Sequence, residues 1–386
     1  MSRRRFLSLA PKLAVLSAAP AFIRSAIAQE GVSAKAVTIG SSAALSGPLG
    51  GFGTAIKVGA DAAIAQINAK GGVQGRQIQL QMMDDGYTAQ RTADNVKKMI
   101  GDGSVFALMS CMGTANNAAI LPMVEESSLP YLAPFTGASS LRRTNTRNVF
   151  HVRASYSDET QRLVQKLLAM GIKDLGIVYL DNAFGREVLA DASAELQAKG
   201  AKPFVHAAAL AADSKNVAEV VSQVMAAKPA AVLLGTAGVA SVALIEALKK
   251  VSPLMPLAGQ SMTLSGAELK SLGAAGSGLA LTMVFPDPNR AKTQVVREYQ
   301  AAMRAVGKED FSLGSLESYI NTRVLAEGLE RAGRDLTRTK LRTALLSLQK
   351  FDLGGFSVDY SNAAAPFVAS RYVDLGVLGG AGRFLG

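Results

Sequence analysis

The sequence predicts an α/β protein built from two Rossmann-like lobes, each with a parallel-rich sheet covered by helices. Three observations support this fold class. Short apolar runs alternate with amphipathic stretches along most of the 386 residues, which is the pattern of strand–helix–strand units. The runs at residues 176–180 and 231–234 are apolar without interruption, as in strands buried on both faces. The cycle restarts near Val149, so we expect two lobes.

The predicted elements follow this cycle along the chain. The strands of the first lobe are short apolar or alternating runs, at residues 36–42, 76–84, 105–110 and 131–133. Helices with apolar residues at helical spacing lie between them, at residues 52–68 and 88–101. The strands of the second lobe are predicted at residues 149–153, 175–180, 203–208, 230–235 and 279–285. Its helices are predicted near residues 157–170, 184–199, 214–227 and 239–250.

The pattern after Phe285 is mainly helical, at residues 291–306, 315–332 and 337–348, with strand-like segments at 356–360 and 367–375. Parallel sheets bind ligands at the carboxyl ends of their strands. Two such sheets facing each other therefore predict a cleft between the lobes. The loops that would line it are residues 43–54, 84–87, 110–116, 134–140, 154–158, 181–186, 235–239 and 259–262.

Residues 1–28 have the three parts of an export signal. Arg3-Arg4-Arg5 form a basic start, an apolar stretch follows, and Ala26-Ile27-Ala28 form a cleavage site. The paired arginines resemble the twin-arginine signal, so we expect export to the periplasm by that route. Cleavage removes five basic residues and no acid, which lowers the net charge from +11 to +6. The remaining basic residues are scattered and no later apolar run reaches 18 residues, so we expect neither nucleic-acid binding nor membrane insertion after cleavage.

The sequence offers few candidates for catalysis, and it predicts no metal and no cofactor. Cys111 is the only cysteine, and it could be a buried thiol or a nucleophile. Asp84-Asp85-Gly86 could be a turn or an acid–base pair. Gly50-Gly51-Phe52-Gly53 lacks the spacing and the lysine of a phosphate loop. His151 and His206 have no metal-ligating residue at a suitable spacing.

Two polar stretches after predicted strands remain as candidates for a binding site. In the first, Gly113 precedes Thr114, a candidate cap for the helix that follows. Its hydroxyl and the free N–H groups of the helix start could hold a carboxylate, or Thr114 could be a cap with no ligand. The second stretch, residues 130–138, ends in a small polar turn that could bind a ligand or serve only the fold.

Three stretches together resemble the periplasmic leucine/isoleucine/valine-type binding proteins of ABC transporters, which have the type I periplasmic binding fold. They begin with LSGPLGGFGTAIK at residue 45, GTANNAAILPMVEE at residue 113 and YLDNAFGREVL at residue 179. The resemblance implies two lobes joined by three hinge crossings, near residues 153, 284 and 355. The first lobe then contains residues 29–152 and 285–355, and the second lobe residues 153–284 and 356–386.

The resemblance also implies which residues bind the ligand. Thr114, with Gly113 beside it, and the turn Phe135-Thr136-Gly137 would hold a carboxylate from the first lobe. Four further positions match residues of the family that wall or cover the ligand, or that follow the strand at 257–259: Phe52, Tyr156, Phe184 and Gln260.

The sequence departs from the family at one position. Amino-acid-binding members usually present an acidic side chain after the strand at 257–259, where this chain has Gln260-Ser261. A buried ammonium without a carboxylate partner is costly, so we expect a small carboxylate without an ammonium. Asp181 could replace the missing acid or could be a loop cap. Arg153 could pair with the ligand or form a salt bridge at the hinge.

Three functions are open at this point. The first is a non-enzymatic solute-binding component that delivers its ligand to ABC permease membrane subunits. The second is a ligand sensor of the same fold that signals to a regulatory partner. The third is a secreted hydrolase that uses Cys111 or Ser110. The absence of a later membrane segment or signalling domain favours transport.

Overall fold

The computed structural model describes residues 29–361, 364–380 and 382–385, and the expected export signal at residues 1–28 lies outside them. The strands are β1 (Ala36–Ala43), β2 (Gln77–Asp84), β3 (Ala107–Met109), β4 (Tyr131–Leu132), β5 (Val149–His151), β6 (Leu175–Leu180), β7 (His206–Leu210), β8 (Ala231–Gly235), β9 (Leu257–Gly259), β10 (Ala280–Met283), β11 (Phe351–Asp352), β12 (Ser357–Val358), β13 (Phe367–Val368), β14 (Asp374–Leu378) and β15 (Phe384–Leu385). The helices are α1 (Gly50–Ala69), α2 (Ala89–Gly101), α3 (Thr114–Glu126), α4 (Tyr156–Ala169), α5 (Ala183–Ala198), α6 (Val217–Ala227), α7 (Val239–Val251), α8 (Gly266–Leu272), α9 (Gln294–Ala305), α10 (Leu313–Ala332) and α11 (Arg338–Leu346).

The strands form one main sheet in each lobe. The first sheet has the order β13-β5-β4-β3-β1-β2, and all of its pairs are parallel. The second has the order β15-β14-β10-β9-β8-β6-β7; β14 pairs antiparallel with both β10 and β15, and the other pairs are parallel. The predicted α/β class with two parallel-rich lobes is therefore confirmed. Within the described ranges, no helix is long and apolar enough to cross a membrane.

The apolar cores explain how the two lobes are held. The first lobe has a cluster that includes Ile39, Phe106 and Val324, and the second has a cluster around Ile177 and Leu233. A third cluster extends across the seam and includes Phe52 and Phe135 from the first lobe with Tyr156 and Phe184 from the second. Burial of apolar surface therefore also stabilises the contact between the lobes.

Side-chain caps start the helices that point at the seam. Ser155 and Asp158 form a reciprocal capping box at the start of α4. Asn182 accepts a hydrogen bond from the Gly185 N–H at the start of α5, at 3.0 Å. Such caps satisfy N–H groups that have no partner inside the helix and so fix where each helix begins. At the start of the short helix α8, which the sequence did not predict, the Glu268 carboxylate accepts from the Ser265 N–H at 2.8 Å.

Within the residues that the structure describes, the chain crosses between the lobes three times. The first crossing joins β5 to α4 and the second joins β10 to α9. The third lies between β13 and β14, so the predicted crossing near residue 355 is wrong: β13 belongs to the first sheet, and within residues 356–386 the described strands β14 and β15 belong to the second. β13 pairs with β5 in the first sheet, and Phe367 stacks on Phe150 with ring centroids 5.1 Å apart. The apolar side chains after residue 355 thus complete the core of the first lobe before the chain leaves it.

His151, at the end of β5, is a buried histidine. It is 1% exposed, and neither ring nitrogen has a hydrogen-bond partner among the described residues. Burial lowers the pKa of His151 well below its usual value of 6.5, and the charge of Arg142 lowers it further. The imidazole is therefore neutral in the folded protein.

This buried imidazole makes stability fall on acidification. The unfolded chain takes up a proton at His151 near pH 6.5 and the folded protein does not, so each pH unit below 6.5 lowers the free energy of unfolding by about 1.4 kcal/mol. Between about pH 7.5 and about pH 5.5, we expect the free energy of unfolding of His151→Leu to fall by about 1.4 kcal/mol less than that of the original protein. Urea denaturation at the two pH values measures this difference. His206→Leu is the control for loss of a histidine. An unchanged pH dependence in His151→Leu would contradict this account.

Candidate functional site

The candidate site is a cavity in the seam, at the carboxyl ends of both sheets. The loops before α1, after β2, after β3 and after β4 approach it from the first lobe. The starts of α4 and α5 and the loops after β8 and β9 approach it from the second. It is lined by Leu49, Phe52, Tyr87, Met112, Gly113, Phe135, Tyr156, Phe184, Ala237 and Met262.

The seam is closed around this cavity. The cavity has a volume of only about 10 Å³. That is room for about one water molecule. An organic molecule can therefore enter only when the lobes move apart or the lining side chains rearrange.

Five of the nine predicted site residues line the cavity. Phe52 and Phe135 form its wall in the first lobe, beside Gly113. Tyr156 and Phe184 form its wall in the second lobe, where their rings meet edge to face with centroids 5.1 Å apart. The two aromatic walls come from helix starts and from the loop after a strand, at the positions that the family resemblance implied.

Thr114 and Thr136 lie just behind this lining and are bonded to each other. Their hydroxyl oxygens are 3.1 Å apart, and the Thr136 hydroxyl donates to the Tyr156 hydroxyl oxygen at 3.4 Å. The prediction that Thr114 caps the helix is wrong by one residue: Gly113 is the cap position, and its φ of 101° is one that other residues rarely adopt. Thr114 is the first helical residue, so its N–H is among those left free at the helix start.

Gly137 and Gln260 support Tyr156 and do not line the cavity. The Gly137 carbonyl accepts from the Tyr156 N–H at 2.7 Å, and a Cβ at position 137 would lie 2.6 Å from the Tyr156 ring. The Gln260 amide donates to the Tyr156 carbonyl at 3.1 Å and to the Thr160 hydroxyl at 2.7 Å. The two residues therefore fix the position of the aromatic wall. The expected direct contact of each with a ligand stays a prediction.

The sequence analysis did not single out five of the lining residues, although the loops it indicated contain all of them. These residues are Leu49, Tyr87, Met112, Ala237 and Met262. Their side chains are of types that are common in cores and loops, so only their position after strands marked them.

Tyr87 is the lining residue with the most constrained backbone. Its φ is +62°, a left-handed value that is uncommon for a residue other than glycine. The Asp85 carboxylate accepts from the Tyr87 N–H at 2.8 Å and also from the hydroxyls of Ser42 and Thr92, at 2.8 and 2.9 Å. The acidic turn Asp84-Asp85-Gly86 thus orders the loop that carries Tyr87.

Uncharged hydrogen-bond donors dominate the polar part of the site. None of the lining residues carries a charge. Burial raises the pKa of Tyr87 and of Tyr156, so both phenols keep their protons at neutral pH. The first N–H groups of α3 have no partner inside the helix. The site can therefore offer hydroxyl and N–H donors to an acceptor without supplying a counter-charge.

Behind the aromatic walls lies a buried charge cluster. The Arg153 guanidinium donates to the Glu159 carboxylate at 3.0 Å and to the Glu317 carboxylate at 3.2 Å. Glu159 also accepts from the Ser261 N–H at 2.8 Å and from the Thr282 hydroxyl. Burial raises the pKa of Glu317 to about 7, although the Arg153 charge lowers it. Arg153 is thus a hinge residue that pairs with carboxylates of the protein.

Asp181 does not supply the acid that is missing near Gln260. Its carboxylate is bonded to the Arg186 guanidinium at 2.5 Å, and its side chain is 57% exposed. It is therefore a surface ion pair outside the cavity lining, and the neighbouring Asn182 has the capping role.

The two candidate nucleophiles, Cys111 and Ser110, are both buried. Cys111 is fully buried, and burial raises the pKa of its thiol to about 12, which keeps it protonated and unreactive at neutral pH. The Ser110 hydroxyl accepts from the Asn321 amide at 3.1 Å. Among the described residues, no group of three or more His, Cys, Asp or Glu side chains is arranged to hold a metal ion.

One carboxylate also connects the lobes at the edge of the seam. Glu187, on α5 of the second lobe, accepts from the N–H groups of Ser139 and Ser140 in the first lobe. It also accepts from the Ser140 hydroxyl, at 2.7 Å. The contact exists only when the lobes are together, and it does not involve the cavity lining.

Comparisons with known proteins agree with this geometry. The sequence profile of the family described as periplasmic binding protein matches residues 36–372. The chain is 26% identical over 315 residues to the Leu/Ile/Val-binding protein BraC3 of Rhizobium johnstonii, covering 80% of this chain and 83% of the relative. A substrate-binding periplasmic protein from Ralstonia solanacearum has a TM-score of 0.83 at 31% identity, covering 89% of this chain and 98% of that one.

A further solved structure shows the same fold at lower identity. It is a solute-binding protein of an ABC transporter from R. palustris in complex with benzoate, with a TM-score of 0.81 at 18% identity, covering 91% of this chain and 95% of that one. Together with the family profile, these comparisons confirm the resemblance that the sequence motifs indicated.

The charge cluster predicts an unequal effect of removing its members. Arg153→Met leaves the Glu159 carboxylate buried without its cation, so we expect the free energy of unfolding to fall by about 3–5 kcal/mol. Glu317→Gln at about pH 6 replaces a largely protonated carboxyl by another neutral group, so the loss should stay below about 1 kcal/mol. Urea denaturation measures both, with Arg371→Met, an exposed arginine, as control. Equal losses in the two variants would contradict the assigned charges.

Proposed function

Because the chain belongs to the periplasmic binding protein family, we propose that it is the solute-binding component of an ABC importer and captures a small organic carboxylate. The ligand binds between the lobes, which close over it and exclude water. No bond is made or broken. The closed protein then presents both lobes to the membrane subunits of the permease.

One observation carries the carboxylate assignment: the cavity gathers uncharged donors and contains no acidic side chain. The phenols of Tyr87 and Tyr156 and the start of α3 provide the donors. Helix N-termini and hydroxyl groups bind anions well. An α-ammonium would have no carboxylate to pair with, since no lining residue of the cavity is acidic, and such a buried cation is costly.

The relatives differ in whether their ligand carries an ammonium. BraC3 is described as binding leucine, isoleucine and valine, which are carboxylates with an ammonium. The R. palustris protein of the same fold holds benzoate, a carboxylate without one. The aromatic walls of Phe52, Phe135, Tyr156 and Phe184 favour an apolar body attached to the acid.

Closure and location complete the proposal. The contact of Glu187 with the first lobe and the apolar cluster across the seam both favour the closed form, so the lobes must move apart before a ligand enters. We place the mature protein in the periplasm, and the twin-arginine route stays a prediction from residues 1–28. A ligand sensor of the same fold would use the same closure, with a regulatory partner in place of a permease.

A matched ligand panel tests the function. We expect 4-methylpentanoate or benzoate to raise the melting temperature more than L-leucine or benzamide does, because leucine adds an ammonium and benzamide lacks the negative charge. A ligand at 100 times its Kd adds about 2.7 kcal/mol to the free energy of unfolding. Mass spectrometry of the released ligand should find it unchanged.

The outcomes of this panel separate the parts of the proposal. A response to leucine with none to 4-methylpentanoate would overturn the preference for acids without an ammonium and leave the binding role intact. No response to any acid or amino acid would overturn the binding of a small carboxylate. Conversion of the ligand would favour an enzyme instead.

A further inference from the structure

We propose that the Tyr87 hydroxyl is a ligand-binding donor of the first lobe that holds the ligand carboxylate together with Tyr156 of the second lobe. This inference rests on the proposed function and assigns a residue that the sequence motifs did not indicate. It follows from the backbone, the ring position and the hydroxyl position of Tyr87.

The backbone of the Tyr87 loop is fixed in a costly conformation. A left-handed φ costs about 1 kcal/mol or more for a residue other than glycine, and Tyr87 has a φ of +62°. The Asp85 carboxylate holds its N–H at 2.8 Å, and Ser42 and Thr92 hold that carboxylate in turn. The surrounding bonds therefore keep Tyr87 in a conformation that an unconstrained loop would leave.

The ring of Tyr87 covers the start of α3. A Cβ at Gly113 would lie 2.7 Å from a carbon of this ring, closer than any real contact, so only glycine leaves room for it. Tyr87 also lines the cavity. The loop conformation and the missing side chain at position 113 thus place the ring over the helix N-terminus and against the space for a ligand.

The hydroxyl of Tyr87 is in the right environment to donate. The Thr114 backbone N–H, which is itself a donor, faces the phenol oxygen, and Tyr87 and Tyr156 both line the cavity. Burial raises the pKa of Tyr87, so the proton stays on the oxygen. The Asp85 carboxylate is engaged by the hydroxyls of Ser42 and Thr92 and by the Tyr87 N–H. The proton of the phenol is therefore available to an acceptor in the cavity.

Two phenols from opposite lobes can then share one anion. Tyr87 belongs to the first lobe, and Tyr156 starts α4 of the second lobe. The Tyr156 hydroxyl oxygen already accepts from the Thr136 hydroxyl. The proton of Tyr156 therefore points away from Thr136. A carboxylate has acceptor sites for both donors, so bringing the lobes together around it completes both bonds. This pair selects an anion and rejects an uncharged amide of the same shape.

The test measures binding of benzoate and benzamide by calorimetry to the original protein, Tyr87→Phe, Tyr156→Phe and the double variant. We expect Tyr87→Phe to weaken benzoate binding by about tenfold or more and to change benzamide binding by less than about twofold. The two substitutions should not be additive, because they act on one carboxylate. Tyr372→Phe, at an exposed tyrosine, is the matched control and should bind benzoate as the original protein does.

A second readout does not depend on affinity. With ¹³C at the tyrosine ζ carbon, the resonance that disappears in Tyr87→Phe identifies Tyr87, and it should shift when benzoate binds. Unchanged benzoate affinity in Tyr87→Phe, or an unshifted resonance at saturation, would overturn the role of Tyr87 and leave the proposed function in place. An original protein that binds neither benzoate nor 4-methylpentanoate nor leucine would overturn both.

Discussion

The arrangement of the two lobes depends on the charge of Arg153. This guanidinium is 1% exposed as a side chain and lies in the first crossing. A cation removed from water needs carboxylates at close range, and they come from α4 of the second lobe and α10 of the first. The guanidinium also lies 5.9 Å from the centre of the Phe135 ring and 5.6 Å from that of Tyr156. The requirement to neutralise one charge therefore fixes the crossing, two helices and the aromatic walls of the cavity together.

The sequence predicted the fold well for strands that are buried on both faces of the sheet. The runs at residues 175–180 and 230–235 became β6 and β8 because each residue in them is apolar whichever way it points. The segment at residues 367–375 was harder. It contains two strands, and the choice of sheet depends on Phe367 meeting the Phe150 ring. Such a partner lies more than 200 positions away, and no local periodicity reports it.

The candidate site shows the same limit in another form. Reasoning from strand ends gave every loop that lines the cavity, and the family resemblance gave the aromatic walls. The direction of a side chain is set by the loop backbone, which sequence patterns describe poorly. Tyr87 reaches the cavity because of a left-handed φ held by Asp85. Gln260, in a loop that also approaches the site, turns to the backbone of Tyr156. Residue type alone would have favoured Gln260 as the residue that reaches the cavity and Tyr87 as the one that does not.

The hydrogen bonds of Glu187 separate the stability of the closed form from the selectivity for ligands. Glu187 accepts hydrogen bonds from Ser139 and Ser140 and lies outside the cavity lining that would contact a ligand. The strength of this interlobe contact therefore alters the residence time of every ligand by a similar factor. The cavity lining decides the relative affinities of different ligands. Substitution of one carboxylate can thus adapt the overall affinity of such a protein to scarce or abundant ligands, and the order of ligand preference stays the same.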